Sequence, residues 1–285
     1  MKLQLDTTIF FHKAQKRPYD LIREKFLELK RGADSLHAST YVKREYISAL
    51  INDCCSFQAK LYSTGSYYQS VEWLSRYGNF HKRYKQRIDD IIAVFHINHN
   101  SVDFEGLNQI ERDKKLAQAL CDYLRILIPE LYESFEEDLV LPLDDRTHCF
   151  FSNKEPLECG NVFNIEVKTP YSKCSSKYNC TLQKMLIGEK ERALKLLEYL
   201  RRIDNNDERK TEELKTIQEF LEMFYEKGNM DVCYEICTQG IGDLIIGLET
   251  LPDRTFITTN YKESEILCPA ILQNYNILRK ENHQA

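Results

Sequence analysis

The run from Gly240 to Asn260 constrains this chain most. Gly240-Ile241-Gly242 reads as a turn, and Asp243 opens an apolar helix through Leu244-Ile245-Ile246-Gly247-Leu248-Glu249. Leu251-Pro252-Asp253 is a tight link, and Arg254-Thr255-Phe256-Ile257-Thr258 is a short buried strand running into Thr259-Asn260. Open α/β sheets bind ligands outside the carboxyl ends of their strands. An aspartate at a helix start beside a polar strand end is therefore one corner of a candidate metal or phosphate site.

The chain opens on a second strand of this kind. Leu3-Gln4-Leu5 alternates apolar and polar and delivers Asp6 at its carboxyl end, where an aspartate either carries chemistry or simply turns the chain. Pro18 opens a helix with apolar Leu21, Ile22, Phe26 and Leu29, closing near Gly32. Leu36 to Ser39 is a short strand candidate, and Thr40 caps a helix over Tyr41 to Leu50. Val42, Tyr46 and Ala49 form its apolar stripe. Glu45 lies on or beside that stripe, where a carboxylate needs a partner; a solvated surface glutamate is the alternative.

From residue 56 to 136 the pattern is almost wholly helical, as in the stripe Ile88, Ile91, Ile92 and Phe95. Between Tyr67 and Arg87, aromatic residues alternate with Lys82, Arg83, Lys85 and Arg87. Rings stack on unpaired bases and cations neutralise phosphates, so the stretch suits single-stranded nucleic acid; rings at this spacing also serve as core. Leu139 to Asp144 and Asn161 to Lys168 read as strands, and Glu189 to Ile203 and Arg209 to Lys227 as helices. Between them lie Cys149, Cys159, Cys174 and Cys180, with His148 adjacent. Neither cysteine pair has the two-to-four-residue spacing of structural zinc sites, so the alternatives are a zinc site and buried free thiols.

Hydrophobic residues at 42% and charged residues at 29% describe a globular chain without a low-complexity tract. A net charge of -5 disfavours coating nucleic acid by bulk positive charge and leaves local patches. No apolar run is long enough to span a bilayer, so the expectation is a cytoplasmic protein that does not engage membranes, with its ten cysteines reduced.

Taken in order, Leu5-Asp6-Thr7-Thr8-Ile9-Phe10, Ser39-Thr40-Tyr41-Val42-Lys43-Arg44-Glu45, Gly242-Asp243-Leu244-Ile245-Ile246 and Phe256-Ile257-Thr258-Thr259-Asn260-Tyr261-Lys262-Glu263 resemble the PIN domain family of metal-dependent ribonucleases. The resemblance implies an α/β fold, a three-layer α/β/α core with a mainly parallel sheet. That core would comprise residues 1–55 and 208–285, with 138–145 as a further strand. Residues 56–207 would be a mostly helical insertion carrying the cysteine-bearing segment 148–180.

It also implies an endoribonuclease that hydrolyses RNA phosphodiester bonds, with a toxin or defence effector role by analogy of fold alone. Asp6, Glu45, Asp243 and Glu263 would hold Mg or Mn, Asn260 would complete the shell, and Thr7 and Thr258 would join the basic residues 82, 83, 85 and 87 at the substrate. The implied partners are RNA, a protein inhibitor or regulator, and a second copy of the chain. Asn260 stands where a fourth acid is common, with Glu263 as its substitute. The competing expectation is therefore a PIN-like scaffold with a degraded site that binds RNA or a protein without cutting.

Overall fold

The computed structural model describes residues 1–15, 20–79, 81–98, 104–147, 154–167, 180–203, 207–208, 210–233 and 240–279. The fold is mixed α/β, built on a four-stranded parallel sheet. β1 (Lys2–Leu5) pairs with β2 (Ser35–His37) on one side and β5 (Arg254–Thr258) on the other, and β6 (Tyr275–Ile277) extends the sheet beyond β5. Leu3, Gln4 and Leu5 are all buried although successive side chains point to opposite faces, so both faces of the central strand are covered.

Parallel neighbours require crossovers. α1 (Thr7–Gln15) and α2 (Leu21–Arg31) connect β1 to β2, and α12 (Tyr261–Ile271) connects β5 to β6. α2 begins at Leu21 because Asp20 caps it, accepting from the amides of Ile22 and Arg23; Pro18 lies outside the described residues. The expected strand at 139–144 forms only two isolated bridges, Leu139 with Leu36 of β2 and Asp144 with Ser39 just beyond it. Pro142 sits between them and cannot donate to a ladder.

After β2 the chain runs through α3 (Thr40–Tyr46), a π-helical turn over Ile47–Ile51, and α4 (Asn52–Thr64). Ser39 rather than Thr40 is the N-cap, accepting from the amide of Val42. The helical region then contains α5 (Tyr67–Gly78), α6 (Lys82–Asn98) and α7 (Gln109–Glu133). A two-stranded antiparallel hairpin follows, β3 (Lys154–Cys159) with β4 (Val162–Val167). Among the described residues, α8 (Thr181–Gly188), α9 (Lys190–Arg202), α10 (Glu212–Tyr225) and α11 (Gly242–Glu249) follow.

One contiguous hydrophobic core joins sheet residues such as Leu3 and Ile257 to Leu124 of α7 and Leu197 of α9. The span 56–207 is thus fused to the sheet-bearing part at its far end. Arg192 of α9 makes the junction specific. Its guanidinium donates to the carbonyls of Gly247 and Leu248 at the end of α11 and of Ile271 at the end of α12, at 2.7–3.1 Å. A cation there satisfies orphan carbonyls and complements the helix dipoles. Among the described residues, no helix is long and apolar enough to cross a membrane.

Candidate active site at the strand ends

β1 ends at Leu5, and Asp6 continues its pairing by donating its amide to the Ile257 carbonyl at 3.0 Å. The ladder therefore fixes the Asp6 backbone at the carboxyl edge of the sheet. Its carboxylate accepts from the Thr7 amide at 2.7 Å, the Thr8 hydroxyl at 2.7 Å and the Thr258 hydroxyl at 2.6 Å. Thr258 is the last residue of β5, so the two strands supply the acid and one of its donors. Burial nevertheless pushes the Asp6 carboxyl above the usual range, outweighing these hydrogen bonds.

Glu45, near the end of α3, enters the same site. Its Oε2 accepts from the Thr7 hydroxyl at 2.8 Å. Burial, reinforced by the charges of Asp6 and Glu213 and opposed by the Thr7 hydrogen bond and Arg44, raises it to about 7. Asp243 stands in the first turn of α11, and its Oδ2 accepts from Asn260 Nδ2 at 2.5 Å. Burial raises it well above an ordinary aspartate, and Asp6, Glu213, Glu45 and Glu263 all add to the effect. The residue before it must be small, because a Cβ on Gly242 would collide with Glu45 Oε1.

Glu263, buried in the first turn of α12, completes the group. Asp6 after β1, Glu45 of α3, Asp243 of α11 and Asn260 of the β5–α12 turn thus gather at one cleft, with Glu263 of α12 beside them, adding to the upward shift of Asp243 but not lining the cleft. A further acid, Glu213 in the first turn of α10, was not among the sequence candidates. Burial raises it, Glu263 and Asp6 raise it further, and Arg83 opposes them. Its only sequence signal is Thr211-Glu212-Glu213, an ordinary capped helix start.

Asp6, Thr7, Glu45, Glu213, Asp243 and Asn260 line one open cleft of about 1400 Å³. Arg44, Arg83, Arg87, Lys262 and Arg279 supply positive charge on its wall. The four expected basic residues divide. Arg83 faces the cleft, while Arg87 reaches its wall already paired with Asp53 at 2.6 Å. Lys85 is paired with Asp89, Lys82 is exposed, and neither lines the cleft. Of the four cysteines, Cys149 and Cys174 lie outside the described residues, Cys159 is exposed and Cys180 is half-buried.

The acids Asp6, Glu45, Glu213 and Asp243 offer the cleft a set of carboxylate oxygens, which fits a hard divalent cation such as Mg²⁺ or Mn²⁺. Its charge fits as well, since acids this close and this buried ionise together only beside compensating positive charge. The side chains are held by Thr7, Thr8, Thr258 and Asn260, and among the described residues no three His, Cys, Asp or Glu form a ready-made ligand set. Comparisons with protein-family models, curated proteins and solved structures return no match for the chain.

Proposed function

We propose that this chain is a metal-dependent endoribonuclease acting in the cytoplasm. Its core would be the PIN-like three-layer α/β/α arrangement, discontinuous in sequence and interrupted by the span 56–207. One observation carries the proposal: Asp6, Glu45, Asp243 and Glu213 converge from four separate elements on one cleft at the strand ends, and burial raises all four. Such a cluster is costly to the fold, which is the mark of a site kept for chemistry.

Asp6, Asp243 and Glu263 are the residues assigned to hold Mg²⁺ or Mn²⁺, with Glu45 beside them. Bound there, the cation would supply the positive charge that lets the acids ionise together and would polarise a phosphodiester. Thr8 and Thr258 fix the Asp6 carboxylate, and Asn260 fixes that of Asp243. Glu45, held by Thr7 at the edge of the acid cluster, is the carboxylate placed to take a proton from an attacking water. Arg83 and Lys262 on the cleft wall offer contacts to the RNA backbone.

The test is cleavage of labelled single-stranded RNA in Mn²⁺ by Asp6→Asn and Asp243→Asn chains. Each is expected to lose cleavage by about a thousandfold while keeping its far-UV circular dichroism. Wild-type rates in both variants would overturn the assignment. A scaffold that binds RNA or a protein without cutting is the second possibility, favoured by the hydroxyl and amide donors already occupying Asp6 and Asp243. A scaffold would bind RNA equally with and without Mn²⁺ and leave it intact.

A further inference from the structure

A second cavity opens beside the cleft. It has a volume of about 460 Å³ and is lined by Asp53, Lys60, Trp73, Tyr77 and Tyr84 together with small polar residues of α4. That size lies within the range of small-molecule sites, about 300–1,000 Å³. Trp73 and Tyr77 lie one helical turn apart on α5 and stack at 5.0 Å with an interplanar angle of 13°. His81 extends the column, stacked on Tyr77 at 4.2 Å.

This column sits at the rim of the core, with Trp73 packed against it. Tyr77 is 38% exposed, and Lys60 Nζ stands 5.5 Å from the Trp73 ring centroid. Tyr84 meets both rings edge-on, at 6.1 Å from Trp73 and 5.3 Å from Tyr77, and closes the floor. Its side chain is almost fully buried, yet its hydroxyl has no hydrogen-bond partner among the described residues. A buried phenol normally finds one. Asp53 belongs to this cavity and Arg87 to the acidic cleft, so their ion pair is a wall common to both.

We infer that the Trp73–Tyr77–Tyr84 cavity receives an unpaired base of an RNA strand whose backbone continues past the Asp53–Arg87 pair into the acidic cleft. Partly exposed Trp73 and Tyr77 offer the sequence-tolerant stacking that single-stranded nucleic acid uses, and Lys60 on the cavity wall would face the adjoining phosphate. Glu45 and Asp53 are eight residues apart along helical backbone, a rise of about 12 Å, which a short stretch of strand spans. The inference rests on the proposed RNA substrate but not on cleavage.

Trp73 is the only tryptophan of the chain, so its emission reports on this cavity alone. The full-length Asp243→Asn chain, without divalent cation, is titrated with a uridine hexanucleotide and with uridine monophosphate. Saturable quenching is expected, with the hexanucleotide binding at least tenfold more tightly than the monophosphate. Tyr77→Ala should weaken hexanucleotide binding about tenfold and Lys60→Ala about threefold, and neither should unfold the chain. No saturable quenching, or an affinity unchanged in both variants, overturns the cavity. Equal affinity for the monophosphate overturns the strand. Because the background chain lacks a cleavage residue, a failed nuclease assignment leaves these affinities in place.

Discussion

Glu45 and Glu249 are both raised to about 7 by burial, and they are different kinds of residue. Glu249, at the end of α11, is completely enclosed; the hydroxyls of Ser39 and Thr147 donate to it and Arg146 lies nearby. It ties α11 to the start of α3 and to the chain at 146–147. Glu45 is half-buried on an open cleft, and its charged neighbours include the acids Asp6 and Glu213. A raised carboxyl therefore does not by itself mark a site. The neighbours decide: both glutamates accept from hydroxyls with an arginine near, but only Glu45 is also set among further acids, whose charge calls for a compensating cation.

The largest test of this contrast sets Asp243→Asn against Glu249→Ala. The first should abolish metal-dependent cleavage, as above, and raise the melting temperature of the metal-free chain, because it removes one member of a repelling cluster. The second should do the reverse, lowering stability by about 2 kcal/mol and the melting temperature by about 5 °C, since it strands two buried hydroxyls. Differential scanning calorimetry reads both. A fall in melting temperature for Asp243→Asn would place the cleft acids in the same class as Glu249.

The pH dependence comes next. Glu45 titrates at about 7 when folded and near 4.5 when unfolded, so over that window the native state holds the extra proton. Stability of the metal-free chain should accordingly fall as pH rises from about 4.5 to about 7, and Glu249 contributes in the same direction. Glu45→Gln should make the fall shallower. Added Mn²⁺ should offset the Glu45 part and leave the Glu249 part; a curve that Mn²⁺ does not change between these pH values would remove the distinction.

The smallest effect is expected from Gly242→Ala. The new methyl displaces the Glu45 carboxylate, so cleavage should drop about tenfold. Alanine is the better helix former, and the melting temperature should move by no more than about 2 °C. Equal cleavage by this variant would show that Glu45 is free to reposition.

The parallel α/β sheet and most of its acids were legible because the signals are local. Leu3 to Asp6 and Arg254 to Asn260 are short strands running directly into polar residues, and Asp243 follows a glycine turn. Glu213 was hidden because nothing separates a helix-capping glutamate from one that tertiary packing carries to a distant strand end. β3 was hidden by Pro156 and its charges, and β6 by being three residues long at an exposed edge. The aromatic and basic stretch was legible as a stretch, but not the pairing of Lys85 with Asp89 and of Arg87 with Asp53, which depends on helix phase and on α4.

Phase is also what the Ile47–Ile51 turn controls. Each residue of an α-helix advances the side-chain direction by about 100°, and a π turn admits one residue more than that rhythm allows. The rod that carries Glu45 before the turn and Asp53 after it therefore behaves like a shaft with two keys cut out of step. Its first key is timed to the acids at the strand ends and its second to the rings of α5 and α6, and the offset between them is held by five apolar and small residues, of which Ser48 and Ala49 line the cleft while Ile47, Leu50 and Ile51 are buried in the core.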